Sequence, residues 1–238
     1  SHEDLASYRV LGGICQGHVD MKWTPGVDFS AGSLGMGLSF GIGCAHAARL
    51  DGSERTIFVM LGDGELQEGS VWEAAMAAVH HELGNLKVFV DRNRIQNDDF
   101  IDAQMRMFDV PAKWKAFGWA VKEIDGHDRD DIRDAIRKAQ MEVNKPSVII
   151  GHTIMAHGCA NMEDDHNTHG APLPPEEIAA TKKKLDLDPN KFFALSDDVL
   201  NNFREGFDYA RGEVAAWNSA LEHRMMEIEF EKEWKLAY

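Results

Sequence analysis

Four short apolar runs mark the first two-thirds of the chain, each bounded by turn-forming residues. Thr56-Ile57-Phe58-Val59-Met60-Leu61 stops at Gly62-Asp63-Gly64, and Leu86-Lys87-Val88-Phe89-Val90-Asp91 stops at Arg92-Asn93. Trp119 to Ile124 stops at Asp125-Gly126, and Ser147 to His152 follows Pro146. Runs of this length, bounded by Gly, Asp, Asn and Pro, predict strands over 56–61, 86–91, 119–124 and 147–152. Helical stretches are predicted between them over 69–83, 107–117 and 129–143, the last behind the turn and N-cap Asp125-Gly126-His127-Asp128. Strand and helix alternate, which predicts an α/β fold: a parallel sheet with helices on both faces.

The flanks read differently. A short helix is expected over 3–15, loop over 16–31 with a turn at Pro25-Gly26, and a helix over 32–50. That last helix is rich in glycine, at roughly 1 kcal/mol per Gly relative to Ala. Such a helix is tolerated where backbones pack closely or a ligand approaches. Residues 92–106 and 159–175 read as loop, and 175–185 as a helix. Residues 196–233 read as one or two long charged helices with an intermittent stripe of Phe203, Phe207, Val214, Trp217, Leu221 and Met225. The organisation expected is an α/β domain over 1–186 and a helical extension over 187–238 packed on it through that stripe.

Composition narrows the functions. The net charge is −15, from 25 Lys and Arg against 40 Asp and Glu. That argues against nucleic acid or an anionic membrane as partner, because phosphate backbones are bound by clustered cations. It leaves a small diphosphate open, since one metal ion and a helix terminus can cancel that charge locally. No apolar run reaches the roughly 18 residues that span a bilayer, and there is no basic-apolar leader. Cys15, Cys44 and Cys159 are scattered and lack ligand spacing, which reads as reduced thiols in the cytoplasm.

The candidate chemistry sits at two strand ends. Asp63 and Asn93 each fall just past an apolar run, about thirty residues apart with helix between. In parallel sheets, ligands collect at the carboxyl ends of strands. Magnesium takes six oxygens in near-octahedral geometry, with few protein carboxylates and often phosphate oxygens. Asp63 offers a charged oxygen, Asn93 a neutral one, and the backbone carbonyl of Ile95 a third where the chain must turn. Gly62 and Gly64 leave room for backbone amides to approach a phosphate. A plain surface turn and an Asx turn would use the same residue types.

The stretch Gly62 to Asp98, GDGELQEGSVWEAAMAAVHHELGNLKVFVDRNRIQND, resembles the transketolases. GDG followed by Asn is similar to the fingerprint of thiamine-diphosphate enzymes at large. Gln67-Glu68-Gly69 resembles transketolase in particular. Gln16-Gly17-His18, Pro25-Gly26-Val27 and Gly32-Ser33-Leu34-Gly35 resemble that family's GHP, PGVE and TGPLGQG segments. His169-Gly170-Ala171-Pro172-Leu173 resembles its HGxPL, and His127 lies in its DGHD.

The resemblance implies thiamine diphosphate and magnesium, or calcium in its place, as cofactors. It implies that Asp63, Asn93 and Ile95 hold the metal and that Gly32, Leu34, Gly62, Asp63, Gly64, Glu65, Asn93 and His169 contact the cofactor. His18 and His169 are implied near the reacting carbon as catalytic contacts, His127 as turn-forming, and Glu68 and Glu73 at a subunit interface. His80 and His81 read as helix-surface residues. Two departures stand out. The family's KTxxGxG is here His152-Thr153-Ile154-Met155-Ala156-His157-Gly158, and the family's segment ahead of QGHP is not among these residues. Nothing after residue 173 resembles the family's pyrimidine-binding domain. The expectation is therefore the diphosphate-binding subunit of a split transketolase-like enzyme that moves a two-carbon ketol unit between sugar phosphates. A pyrimidine-domain partner, in a hetero-oligomer built on a dimer, would complete the site. The alternatives are another thiamine-diphosphate enzyme acting on a modified sugar or keto acid, and a non-catalytic regulatory subunit.

Overall fold

The structure is a computed structural model that describes residues 2–192 and 195–237. The chain divides into two units, Ser1–Leu187 and Asp188–Tyr238. The first contains α1 (His2–Ala6), α2 (Met36–Leu50), β1 (Ile57–Gly62), α3 (Gly69–His80), β2 (Leu86–Arg92), α4 (Ile101–Gln104), α5 (Val110–Ala116), β3 (Ala120–Asp125), α6 (Arg129–Met141), β4 (Ser147–His152) and α7 (Pro175–Lys184). One-turn 3-10 helices lie at Glu65–Gln67 and His166–Thr168. The second unit contains α8 (Asp197–Arg204), α9 (Phe207–Arg224) and α10 (Ile228–Ala237).

The four strands form one parallel sheet in the order β1-β2-β4-β3. Alternate residues of a strand face opposite sides. Leu61, Val88, Val90, Val148 and Ile150 face a core built with Leu38 of α2, Ala74, Ala75 and Ala78 of α3, and Trp114 of α5. Ile124 and Ile149 face the other side, where Ala135 and Ala139 of α6 cover them. Helices on both faces are therefore present, as the alternating pattern predicted. The indole of Trp119 ties α3 to the foot of β3 by donating to the Ala75 carbonyl at 3.0 Å.

Several boundaries differ from the sequence reading. The first helix stops at Ala6 rather than Cys15, because Arg9 (φ 60) and Gly12 (φ 82) take left-handed conformations that end a right-handed helix. Helix α2 starts at Met36 rather than Gly32, after a left-handed Gly35 (φ 82). Its glycines are not equivalent. A Cβ at Gly41 would lie 2.5 Å from Val59 Cγ2, so this glycine lets α2 lie on β1, whereas Gly37 and Gly43 meet nothing. The helix expected from 107 begins at Val110, where the Asp109 carboxylate accepts from the Ala112 amide. The short α4 stands in what reads as loop. Among the described residues the second unit has three helices, separated near Gly206 and at Met225–Glu227, rather than one or two. There Trp217 of α9 meets Trp234 of α10 at 6.3 Å.

At the amino ends of the strands, Lys87 is only 1% exposed. Its ammonium donates to the carbonyls of Gly84 and Glu142, both at 2.6 Å, and to Ser147 Oγ at 3.5 Å. It thereby ties β2 to the end of α6 and the start of β4. Burial lowers its pKa from 10.5. Lys87→Met should cost about 1–3 kcal/mol, because two buried carbonyls lose a charged donor. Urea unfolding measures this.

Candidate functional site

The carboxyl ends of β1 and β2 bring Asp63 and Asn93 to one turn. Gly62 pairs with Asp91 across the strands, and the Asp63 amide donates to the Asp91 carbonyl at 3.1 Å. Asp63 Oδ2 accepts from the Arg94 amide at 2.7 Å, and Asn93 Oδ1 accepts from the next amide, Ile95, at 2.9 Å. The two side-chain oxygens are thus anchored on consecutive peptide groups. Arg94 makes this possible with a left-handed φ of 66, a conformation that costs an L-residue on the order of 1–2 kcal/mol. Ile95 is 1% exposed, which fixes the turn in the core.

Asn93 does form an Asx turn, yet its oxygen has a second lone pair. Its orientation follows from a neighbour: Nδ2 donates to Asp91 Oδ2 at 3.4 Å, and the Thr153 hydroxyl donates to Asp91 Oδ1. The carboxylate of Asp91 thereby turns the amide oxygen away from itself, a role that the sequence reading missed.

Asp63 is 1% exposed, and its Oδ1 is buried with no hydrogen-bond partner. Burial pushes its carboxyl up from 3.8 to about 6, against the lowering effects of the Arg94 amide, the Arg92 guanidinium and the neighbouring Gly64 amide. A buried carboxylate oxygen without a donor is an unfavourable arrangement unless a cation completes it. Among the described residues no three His, Cys, Asp or Glu side chains converge as a metal site. The local donors are instead one carboxylate, one amide and backbone carbonyls. This set fits a hard cation that retains water and phosphate oxygens.

The carboxylate of Glu65 is held by two backbone amides. Its Oε1 accepts from the Gly35 amide at 2.7 Å, and its Oε2 from the Gly62 amide at 3.1 Å. The carboxylate is a clasp between the loop ahead of α2 and the end of β1. Directly after Gly64 the chain makes the 3-10 turn Glu65–Gln67, so α3 begins only at Gly69 and its amino end does not directly follow Gly64.

Through that clasp the loop carrying Gly32 and Leu34 joins the site. The ring of His18 lies on Gly32, where an added Cβ would sit 3.1 Å from His18 Cγ. Leu34 is 58% exposed, an apolar side chain presented to the outside by a loop. The loop carrying His169 joins the turn after β2: a Cβ at Gly170 would lie 2.6 Å from Asn97 Oδ1, and the His166 ring is 6.1 Å from that of Phe100. His18 and His169 are both exposed, and they belong to separate loops.

The departure from the KTxxGxG pattern has a local explanation. His152 Nε2 pairs with Glu123 Oε2 at 3.0 Å, and His157 Nδ1 with Glu163 Oε1 at 2.7 Å. His127 stacks on His157 at 4.0 Å and accepts from the Ile154 amide at 2.9 Å. Beyond forming a turn, His127 therefore fixes this loop. The three histidines line a groove of about 760 Å³ that reaches Asn93 and Arg94.

A buried acid and an anchored amide thus stand at adjacent strand tips of a parallel α/β domain. Residues 1–235 match the family described as transketolase, thiamine diphosphate binding domain. The chain belongs to that family. It is 34% identical over 243 aligned positions to a transketolase of Mycobacterium tuberculosis, covering 96% of this chain and 33% of the relative. It is 38% identical over 175 positions to the 6-deoxy-6-sulfo-D-fructose transketolase subunit SqwG of Clostridium sp., covering 74% and 64%. It is 36% identical over 197 positions to a subunit of the apulose-4-phosphate transketolase of Phocaeicola vulgatus, covering 80% and 70%. A crystal structure of transketolase from Campylobacter jejuni superposes with a TM-score of 0.83 at 33% identity, covering 93% of this chain and 36% of that one. The chain thus spans about a third of the length of the Mycobacterium transketolase and two-thirds or so of the two subunits.

Proposed function

We propose that this chain is the diphosphate- and magnesium-binding subunit of a split transketolase-like enzyme. It would transfer a two-carbon ketol unit between sugar phosphates, with a pyrimidine-domain subunit completing the active site in a hetero-oligomer built on a dimer. The observation that carries this reading is the unpartnered, buried Asp63 Oδ1 beside the amide-anchored Asn93 oxygen. Two relatives whose names call them subunits support the split organisation. Three free cysteines, and no helix among the described residues long and apolar enough to cross a membrane, fit a cytoplasmic setting.

In this reading, Asp63, Asn93 and the Ile95 carbonyl hold the cation, and Gly62 and Gly64 admit the diphosphate. Gly32 and Leu34 wall the rings. Glu65 holds that wall at a fixed distance from β1. His18 hydrogen-bonds a hydroxyl or carbonyl oxygen of the donor sugar, and His169 lies beside the cofactor diphosphate and the reacting carbon. When bound, thiamine diphosphate supplies the carbon nucleophile of ketol transfer, and the protein supplies binding and orientation.

A second reading concerns the substrate. The two subunit relatives are named for a sulfonated deoxyfructose and for apulose 4-phosphate, which favours a modified sugar as donor. Co-purification from the native source, with mass spectrometry, identifies the partner. The reconstituted pair should turn over ketose donors, whereas this chain alone should not. A panel of ketose phosphates, sulfonated and branched sugars and keto acids then separates the donors. A pair that binds cofactor yet turns over nothing in the panel would favour a regulatory subunit.

A further inference from the structure

Four buried polar side-chain atoms lack a hydrogen-bond partner among the described residues: Asp63 Oδ1, Asn85 Oδ1, Gln96 Oε1 and Trp114 Nε1. Of the four, Asp63 directly precedes Gly64 in the chain, and Gln96 packs on that glycine. A Cβ at Gly64 would sit 3.3 Å from Gln96 Cβ and 3.8 Å from Gln96 Oε1, so the Gln96 side chain lies along the glycine that follows Asp63. Its backbone is fixed there. The Gln96 amide donates to the Asp99 carbonyl at 3.0 Å, and Ile95 forms an antiparallel bridge with Phe100. An acceptor cut off from water and left without a donor costs about 1–3 kcal/mol. Two acceptors around one glycine ask for a ligand that satisfies both.

A hydrated cation does so. Magnesium dehydrates reluctantly and keeps several of its waters. A water on the ion is a strong hydrogen-bond donor. We propose that Gln96 is a positioning residue of this site, its carboxamide oxygen accepting from a water bound to the cation that Asp63 ligates. The inference rests on the cation reading given above. Asn85 and Trp114 lie outside these turns and have no such role.

The test uses the full chain with its partner, in three variants and two measurements. Magnesium is titrated calorimetrically in the presence of thiamine diphosphate, and thermal unfolding is followed without cation. Gln96→Met keeps the size and removes the acceptor. It should weaken magnesium about tenfold to a hundredfold, as loss of an outer-shell partner does. Its cation-free melting temperature should be unchanged or raised, since an unsatisfied polar atom has been removed. Gln96→Glu keeps an acceptor and should hold magnesium at least as tightly as the parent protein, within about threefold. Asp63→Asn is the control for the site itself.

Wild-type magnesium affinity in Gln96→Met, with binding abolished in Asp63→Asn, would overturn the role of Gln96 and leave the site intact. Undiminished affinity in both would overturn the underlying site reading. A loss in Gln96→Met accompanied by a lower cation-free melting temperature would mark Gln96 as merely structural. If Gln96→Met does not fold, Gln96→Glu decides alone: retained affinity supports the proposal, and a loss of tenfold or more overturns it.

Discussion

Asp63→Asn should abolish magnesium-dependent binding of thiamine diphosphate and, in the same protein, stabilise the cation-free fold. Both effects come from one buried atom. Asp63 Oδ1 has no donor, and burial raises the carboxyl from 3.8 to about 6. The sign follows from proton binding. Between those two values the folded chain keeps a proton that the unfolded chain has released, so stability falls as the pH rises from about 4 to about 6 and stays lowered above. The difference corresponds to about 3 kcal/mol at pH 7, as an upper figure for this group. Asparagine carries no such charge. Without cation, its advantage in urea unfolding should be largest at pH 7 and vanish near pH 4. Magnesium should reverse the ranking, because it binds only the parent. An asparagine variant that is less stable at pH 7, or one that still binds cofactor in magnesium, would contradict this.

Asn93→Ala should lose cofactor binding as well, with the opposite effect on the empty fold. Outer-shell partners are typically worth tenfold to a hundredfold in metal affinity, so in the proposed site, where Asn93 ligates the ion directly, its loss should cost more than about a hundredfold. Here the side chain is already satisfied. It accepts from the Ile95 amide at 2.9 Å and donates to Asp91 at 3.4 Å. Truncation strands the Ile95 amide and leaves Asp91 facing Thr153 alone. The expected loss is about 1–2 kcal/mol of cation-free stability. Two variants with the same binding defect and opposite shifts in urea midpoint would distinguish a cation site from two ordinary turn residues. Equal shifts in the same direction would favour the turn.

The strands were legible because each is a short apolar run closed by turn residues, and β4 falls on the predicted 147–152. The sheet order was not legible. It depends on β4 inserting between β2 and β3, a long-range pairing that leaves no local mark. The first helix was overextended because periodicity does not register the left-handed turns at Arg9 and Gly12. The place of Asp63 and Asn93 just beyond two strands was legible, because each follows a short apolar run. The hydrogen bonds of Glu65 and Asp91 were not, because each reaches a partner distant in sequence. Glu65 reaches back thirty residues to the Gly35 amide, and no motif encodes that contact.

The most direct measurement is a crystal structure of the assembled enzyme grown with thiamine diphosphate and manganese in place of magnesium, using anomalous scattering to find the ion. One peak should lie about 2.1–2.2 Å from Asp63 Oδ1, Asn93 Oδ1 and the Ile95 carbonyl, with diphosphate oxygens and water filling the octahedron. A fully occupied ion elsewhere, with cofactor bound and Asp63 Oδ1 still without a partner, would contradict the account.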